Sequence, residues 1–281
     1  MLKRFLAYPS TRGRDLDDPQ TTELRRRILK DKAFLRRLYV EWYRNILRDL
    51  PSGKGAVLEI GSGAGFFQEL LPEVITSDVL PVSGLSLVLD AQALPLADAS
   101  LRAVVLIDVL HHLPDVERFL VEAARCVRPG GVIVMIEPWV TAWSRWIWGR
   151  LHHEPFDPDA ESWTLAGSGP LSRANVALPW IVLERDRGRF EQRLPEWRIA
   201  ALRPCVPFRY LVSGGMSLRS LMPGWSFGTW RWLERRMQRW MNTWGLFAHI
   251  VLCRTDSPGR TESHSSADGA GSPVGNRSAR P

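Results

Sequence analysis

The sequence predicts an α/β protein built on a largely parallel sheet, and two observations carry that prediction. From residue 56 onward, short apolar runs (AVLEI, VITSDV, LSLVLDA, AVVLIDV, VIVMIEP) alternate with turns and helix-like stretches. Runs of that kind are what strands buried on both faces require. Directly after the first run comes a glycine turn, Gly61-Ser62-Gly63-Ala64-Gly65. Residues without a Cβ let the chain turn tightly there and let a ligand approach the backbone.

The elements follow in order. The 281 residues, 45% of them apolar, suffice for one or two domains with a full core. Asp18-Pro19 is a helix start, with the acid as cap and proline at the first helical position. Apolar residues at Leu24, Ile28, Leu35, Leu38, Tyr39, Trp42, Ile46 and Leu50 keep near-helical spacing up to Pro51, so residues 1–50 read as an N-terminal helical extension. Residues 51–254 form the main domain. Within it, 66–71 and 116–127 have helical character, and Arg128-Pro129-Gly130-Gly131 stops the second helix before the next strand. RIAALRPCVPF and LFAHIVLCR read as two later strands around a long Trp-rich segment. Residues 255–281 hold almost nothing apolar and read as a disordered tail.

The net charge of +7 is unevenly spread. Residues 1–50 carry 13 basic and 7 acidic side chains, 51–138 carry 5 against 11, and 139–254 carry 16 against 9. Of the 13 tryptophans, 12 lie at or after Trp139, so the acidic middle and the basic flanks are expected to do different work. Three isolated cysteines without a CxxC pair argue against a disulfide framework, and no His/Cys cluster at ligand spacing predicts a metal. The basic N-terminus lacks an apolar signal region and no run is long enough to span a membrane, so a cytoplasmic protein is expected.

Four signals carry chemistry, each at the carboxyl end of a predicted strand, where an open α/β sheet binds its ligand. The first is the glycine turn with Glu59 two residues before it. The spacing is GxGxG rather than the dinucleotide GxGxxG, position 66 being Phe, and a carboxylate at Glu59 would oppose phosphates but suits a cationic ligand. The second is Asp78, able to accept both hydroxyls of a ribose. The third is Asp90, after the third strand, able with nearby amides to read an adenine edge. The fourth is IDVLHHLPD, residues 107–115, closing the fourth strand.

Taken together, Glu59 through Gly65, Asp78, Asp90-Ala91 through Leu94-Pro95, Asp108 through Leu113 and Arg128-Pro129-Gly130-Gly131 resemble the class I S-adenosylmethionine-dependent methyltransferases, of the quinone-biosynthesis and natural-product kind. The resemblance covers roughly residues 55–138. It implies a Rossmann-like sheet of seven mostly parallel strands, the last antiparallel, with helices on both faces, an N-terminal helical cap and a Trp-rich helical cover. It implies S-adenosylmethionine as cofactor, with Glu59, Gly61, Ser62, Gly63 and Gly65 against its methionine part. Asp78 would hold the ribose and Asp90 contact the adenine amino group, with Val79, Ala91 and Asp108 as further cofactor-binding residues. Methyl transfer from a sulfonium is an in-line displacement that needs orientation above all. A hydroxyl or phenol acceptor adds the need for a base. His111 and Glu137 rank first for that role, then His112, then His152, His153 and Glu154; His111 equally suits a pocket wall. Cys205 reads as a core cysteine, and no Asn/Asp-Pro-Pro-Tyr/Phe motif of amino-methylating enzymes follows the fourth strand.

The flanks speak to the acceptor. WVTAWSRWIWGRL, residues 139–151, packs four tryptophans into one helix length, and in 224–247 Trp230, Leu233, Met237, Trp240, Met241 and Trp244 fall on one stripe with arginines elsewhere. Such a helix either covers a greasy acceptor pocket on the sheet or lies in a bilayer interface as a peripheral contact. Tyr39, Trp42 and Tyr43 either close over the cofactor or belong to the core. The expected function is methylation of a hydrophobic, aromatic or lipid-linked small molecule. The alternatives are a nucleic-acid methyltransferase or a non-catalytic cofactor-binding protein of the same fold.

Overall fold

The computed structural model describes residues 15–152, 154–167 and 169–255. The tail read for 255–281 lies outside them, Thr255 apart, as does His153. Helix α1 (Pro19–Asp31) starts as its sequence dictates, Asp18 accepting the Gln20 N–H at 2.8 Å ahead of proline. A break at Lys32 leads into α2 (Ala33–Asp49), which buries Phe34, Leu35, Leu38, Tyr39, Trp42, Tyr43 and Ile46. That spacing makes one apolar stripe, and it packs on a sheet face with Val57, Val105 and Val134.

The sheet has seven strands, β1 (Ala56–Ile60), β2 (Ile75–Asp78), β3 (Leu87–Val88), β4 (Leu101–Ile107), β5 (Val127–Pro138), β6 (Trp197–Cys205) and β7 (Phe247–Arg254), in the order β3-β2-β1-β4-β5-β7-β6. All neighbours among β1–β5 are parallel, and β7 runs antiparallel to both β5 and β6. This is the predicted seven-stranded, Rossmann-like arrangement. Helix α3 (Val116–Cys126), capped by Asp115, covers the face opposite α2 with Phe119, Leu120 and Ala123. The carboxyl ends of β1, β2 and β4 therefore share one edge of the molecule.

Two local expectations are corrected. Residues 66–71 make only a single 3-10 turn, Phe67–Glu69. Tyr43 Oη takes the Phe66 N–H at 3.2 Å, and Pro72 disfavours a helical conformation at Leu71. Arg128-Pro129-Gly130-Gly131 lies inside β5 rather than before it: Val127 pairs with Leu101 and Val132 with Ala103, so these four residues bulge out, Gly130 at φ +71°.

After β5, Thr141 and Ser144 close a reciprocal cap on α4 (Ala142–Arg150). Short helices α5 (Leu178–Trp180), α6 (Arg187–Arg193) and α7 (Arg209–Ser213) precede α8 (Phe227–Arg236) and α9 (Met241–Trp244). The single helix read over 224–247 is thus broken at Met237, and a 3-10 turn, Gln238–Trp240, joins its parts. Leu233 and Trp240 of the predicted stripe are exposed, while Glu234 is buried instead, drawn inward by Arg209 at 2.5 Å. No helix among the described residues is long and apolar enough to cross a membrane.

Candidate active site

The glycine turn is shaped by contacts that exclude any larger residue. Gly61 (φ +68°) would place a Cβ 2.4 Å from the Val109 side chain, and Gly65 would place one 2.5 Å from Tyr43 Oη. Ser62 ties the turn to β2: its N–H donates to Ser77 O at 2.8 Å and its Oγ accepts the Ser77 N–H at 3.1 Å. Asp78 completes the join, Oδ2 accepting the Gly63 N–H (3.1 Å) and Oδ1 the Leu80 N–H (3.0 Å). Burial raises the Asp78 carboxyl above its ordinary range. Glu59 is buried beside the turn with Oε2 unpartnered, and burial pushes its carboxyl up to about 7. The structure therefore brings Glu59, Gly61, Ser62, Gly63, Gly65 and Asp78 together.

The remaining predicted cofactor residues follow the ends of β2 and β3, Leu89 N–H donating to Asp78 O at 3.0 Å. Val79 is exposed and Ala91 is buried, while the exposed Asp90 uses its carboxylate to accept the Gln92 N–H at 2.8 Å and cap its own turn. Beside the turn lies a cleft of about 190 Å³ lined by Glu59, Ala64 and Gly65 and roofed by Arg26 and Lys30 of α1. Helix α1 is latched there: Arg26 donates to Gly63 O (2.9 Å) and Ser83 O (2.8 Å), and Glu23 accepts from Ser83.

The second cluster sits at the end of β4. Asp108 adopts φ +62°, a left-handed conformation that Asp tolerates better than most residues, and throws the chain into the turn Leu110–His112. Glu137, at the end of β5 and fully buried, holds that turn. Its Oε1 accepts the Val109 and Leu110 N–H groups (2.9 and 2.8 Å), and its Oε2 lies 3.0 Å from His111 Nδ1. Every oxygen of Glu137 is engaged, so it positions His111 and does not reach the cleft. His112 Nδ1 lies 3.0 Å from Arg173 O.

Glu154 comes from the segment after α4. Asn175 pins that segment, its side chain bridging the backbone of Asp157 and its N–H donating to His111 O at 2.9 Å, while Val176 donates to Pro155 O. Glu154 Oε2 is thereby set 3.4 Å from His111 Nε2 and 3.0 Å from His152 Nε2, and its Oε1 3.8 Å from His112 Nε2. Asp108 Oδ1 lies 3.9 Å from His111 Nε2. Burial raises the Asp108 carboxyl to about 6 and lowers His112 to about 4; at His111 burial opposes the charged ring, but the Glu137 and Glu154 carboxylates outweigh it and hold the ring well above its usual value. Arg25 of α1 adds positive potential that lowers Asp78, Tyr39 and His112 alike.

Sequence reasoning did not single out Arg25, Arg173 or Asn175. No motif marks them, and only the path of the chain over the sheet edge brings them to the site.

Residues 58–135 match the family model for a methyltransferase domain. A chain of the complex between the Trm112 methyltransferase activator and a methyltransferase from Haloferax volcanii superposes with TM-score 0.50 at 16% identity, over 86% of this chain and 99% of that one. The geranyl diphosphate C-methyltransferase of Streptomyces coelicolor, solved with Mg2+, geranyl diphosphate and S-adenosyl-L-homocysteine, gives TM-score 0.47 at 11% identity over 89% of each chain. The fold is that of the class I methyltransferases.

Proposed function

We propose that this chain, whose residues 58–135 match a methyltransferase domain, is a class I S-adenosylmethionine-dependent methyltransferase that methylates a hydrophobic, aromatic or lipid-linked small molecule. The observation that carries the reading is the pairing of two sites on one sheet edge: Glu59 and Asp78 at the glycine turn, and the histidine–carboxylate cluster at the end of the next strand over, β4.

In this reading the glycine turn and Glu59 receive the cationic methionine end of S-adenosylmethionine, Asp78 the ribose and Asp90 the adenine, with Val79 and Ala91 beside them. The acceptor atom attacks the methyl carbon, the carbon–sulfur bond breaks, and S-adenosylhomocysteine leaves as a neutral thioether. The acceptor's proton passes to the cluster through Asp108, its most exposed carboxylate (side chain 32% exposed). Glu137 orients His111 from behind.

The greasy acceptor is supported by the rings around the cluster and by the cover. Tyr39 and Tyr210 are close enough to feel the charge of Asp108, and Trp225, Trp232 and Trp240 are exposed at 81, 58 and 45%. Arg236 lies over the Trp232 ring and Arg239 over Trp240, a pairing that suits the headgroup level of a membrane carrying a lipid-linked acceptor. Against nucleic acid stands the use of the flank arginines: Arg185, Arg187, Arg193, Arg209 and Arg231 are all engaged with carboxylates of the chain itself.

Calorimetric titration with S-adenosylhomocysteine tests the cofactor assignment. Wild type should bind, and Asp78→Ala should lose about 1.5–3 kcal/mol, the worth of hydrogen bonds to a charged group. Equal affinity in both proteins would refute the ribose assignment, and no heat in wild type would refute the proposed function.

A further inference from the structure

His111, His112 and Glu154 aim three donor atoms at one point. A carbonyl oxygen only accepts, so the contact of His112 Nδ1 with Arg173 O fixes the proton on Nδ1 and leaves a lone pair on Nε2. At His111 the Glu137 carboxylate occupies the Nδ1 side in the same way, and Nε2 is buried without a hydrogen-bond partner, 3.4 Å from Glu154 Oε2 but not aligned to bond it. One ligand atom from each of the three residues lies within 4.8 Å of the other two. Ligands at about 2.0–2.2 Å from a common cation stand roughly 3–3.5 Å apart, so closure asks for small side-chain shifts only.

We propose that His111, His112 and Glu154 form a site for one divalent transition-metal cation of the zinc, cobalt or iron(II) type. An imidazole oriented through its far nitrogen by a carboxylate, beside one oriented by a backbone carbonyl, is how proteins present nitrogen ligands to a cation. Two nitrogens and one carboxylate suit these borderline cations, whereas magnesium and calcium favour all-oxygen sets. Asp108 Oδ1, 3.9 Å from His111 Nε2, stands within reach of a fourth position. The sequence hid this arrangement because Glu154 lies far from the histidine pair along the chain, and the Asn175 clamp brings it over them. Binding of the cation is independent of the acceptor; only its role, drawing electron density from an acceptor oxygen, rests on the methyltransferase reading.

The test uses the full chain, stripped with a chelator and titrated with Co2+ while visible ligand-field absorption is recorded. One equivalent should bind, and His112→Ala and Glu154→Gln should each weaken binding by at least about tenfold. Paramagnetically shifted imidazole N–H resonances in the wild-type Co2+ protein, from the two Nδ1–H groups shielded by Glu137 and Arg173, give a reading that does not depend on any variant folding. Absence of those resonances, or equal Co2+ affinity in wild type and both variants, would overturn the metal site and leave the cluster an ion-pair network. S-adenosylhomocysteine titration of the stripped protein separates the two ideas: retained binding with no Co2+ site sinks this inference and spares the methyltransferase.

Discussion

Glu59 illustrates how a single residue stores a functional bias. Its carboxyl is buried at the end of β1 with Oε2 unpartnered, and burial raises it from 4.5 to about 7. The unfolded chain gives up that proton at lower pH than the folded one, so the stability Glu59 contributes is complete below about 4.5 and is lost as pH rises through about 7. Glu59→Gln should therefore stabilise the ligand-free protein at pH 8 by on the order of 3 kcal/mol, and change little at pH 4.5. Thermal melts at the two pH values check this; equal melting temperatures at pH 8 would contradict it. A cationic ligand reverses the sign, because it favours the ionised carboxylate. Wild-type affinity for S-adenosylmethionine should climb toward pH 7 and level off, and the glutamine variant should lack that climb. Glu59, Asp78 and the glycines were legible in the sequence because their chemistry is local to one turn. Glu154 was legible only as a neighbour of histidines, since its place over His111 depends on Asn175, remote in sequence.

At the scale of elements, strands were easier to read than the connections between them. Runs such as AVVLIDV, buried in β4, have one period and one environment. The helix expected over 66–71 stops after a single turn, Pro72 disfavouring the helical conformation at Leu71. Helix α1 closes over a cleft of about 190 Å³ beside the glycine turn, held there by Arg26 on Gly63 and Ser83 and by Glu23 on Ser83. The broken helix 224–247 was misjudged for a different reason: a buried Glu234 outranks the apolar stripe once Arg209 pairs with it. The result is an exposed face of Trp225, Trp232, Leu233 and Trp240 flanked by Arg235, Arg236 and Arg239. If this face meets anionic lipid, wild type should sediment with anionic vesicles at low salt and Arg235→Glu/Arg236→Glu should reduce the bound fraction, each charge near the surface being worth about 1 kcal/mol. Wild type left in the supernatant would contradict membrane contact.

Across the whole molecule, the uneven charge and tryptophan distribution predicted a division of labour, and the structure gives it a form. The acidic middle is the parallel half of the sheet with the glycine turn and Asp78, and the basic flanks supply α1, α2 and the α7–α9 cover. Among the contacts that join the two flanks, Arg209 pairs with Glu41 of α2 at 2.9 Å and with Glu234 of α8 at 2.5 Å, with Arg209 and Glu234 buried. Breaking a buried pair strands its partners, so Arg209→Ala should cost about 3–5 kcal/mol, read by denaturant titration; a loss under 1 kcal/mol would show that this bridge does not hold cap to cover. This bridge was invisible in the sequence, because its three members are scattered and none has a neighbour that marks it as buried. The most direct measurement is transfer of label from methyl-labelled S-adenosylmethionine by the purified full chain to a cell extract separated into lipid, small polar, nucleic-acid and protein pools. Label should enter the organic-extractable pool and fall at least about tenfold with Asp78→Ala at sub-saturating S-adenosylmethionine. Label in nucleic acid, or in no pool at all, would contradict the account.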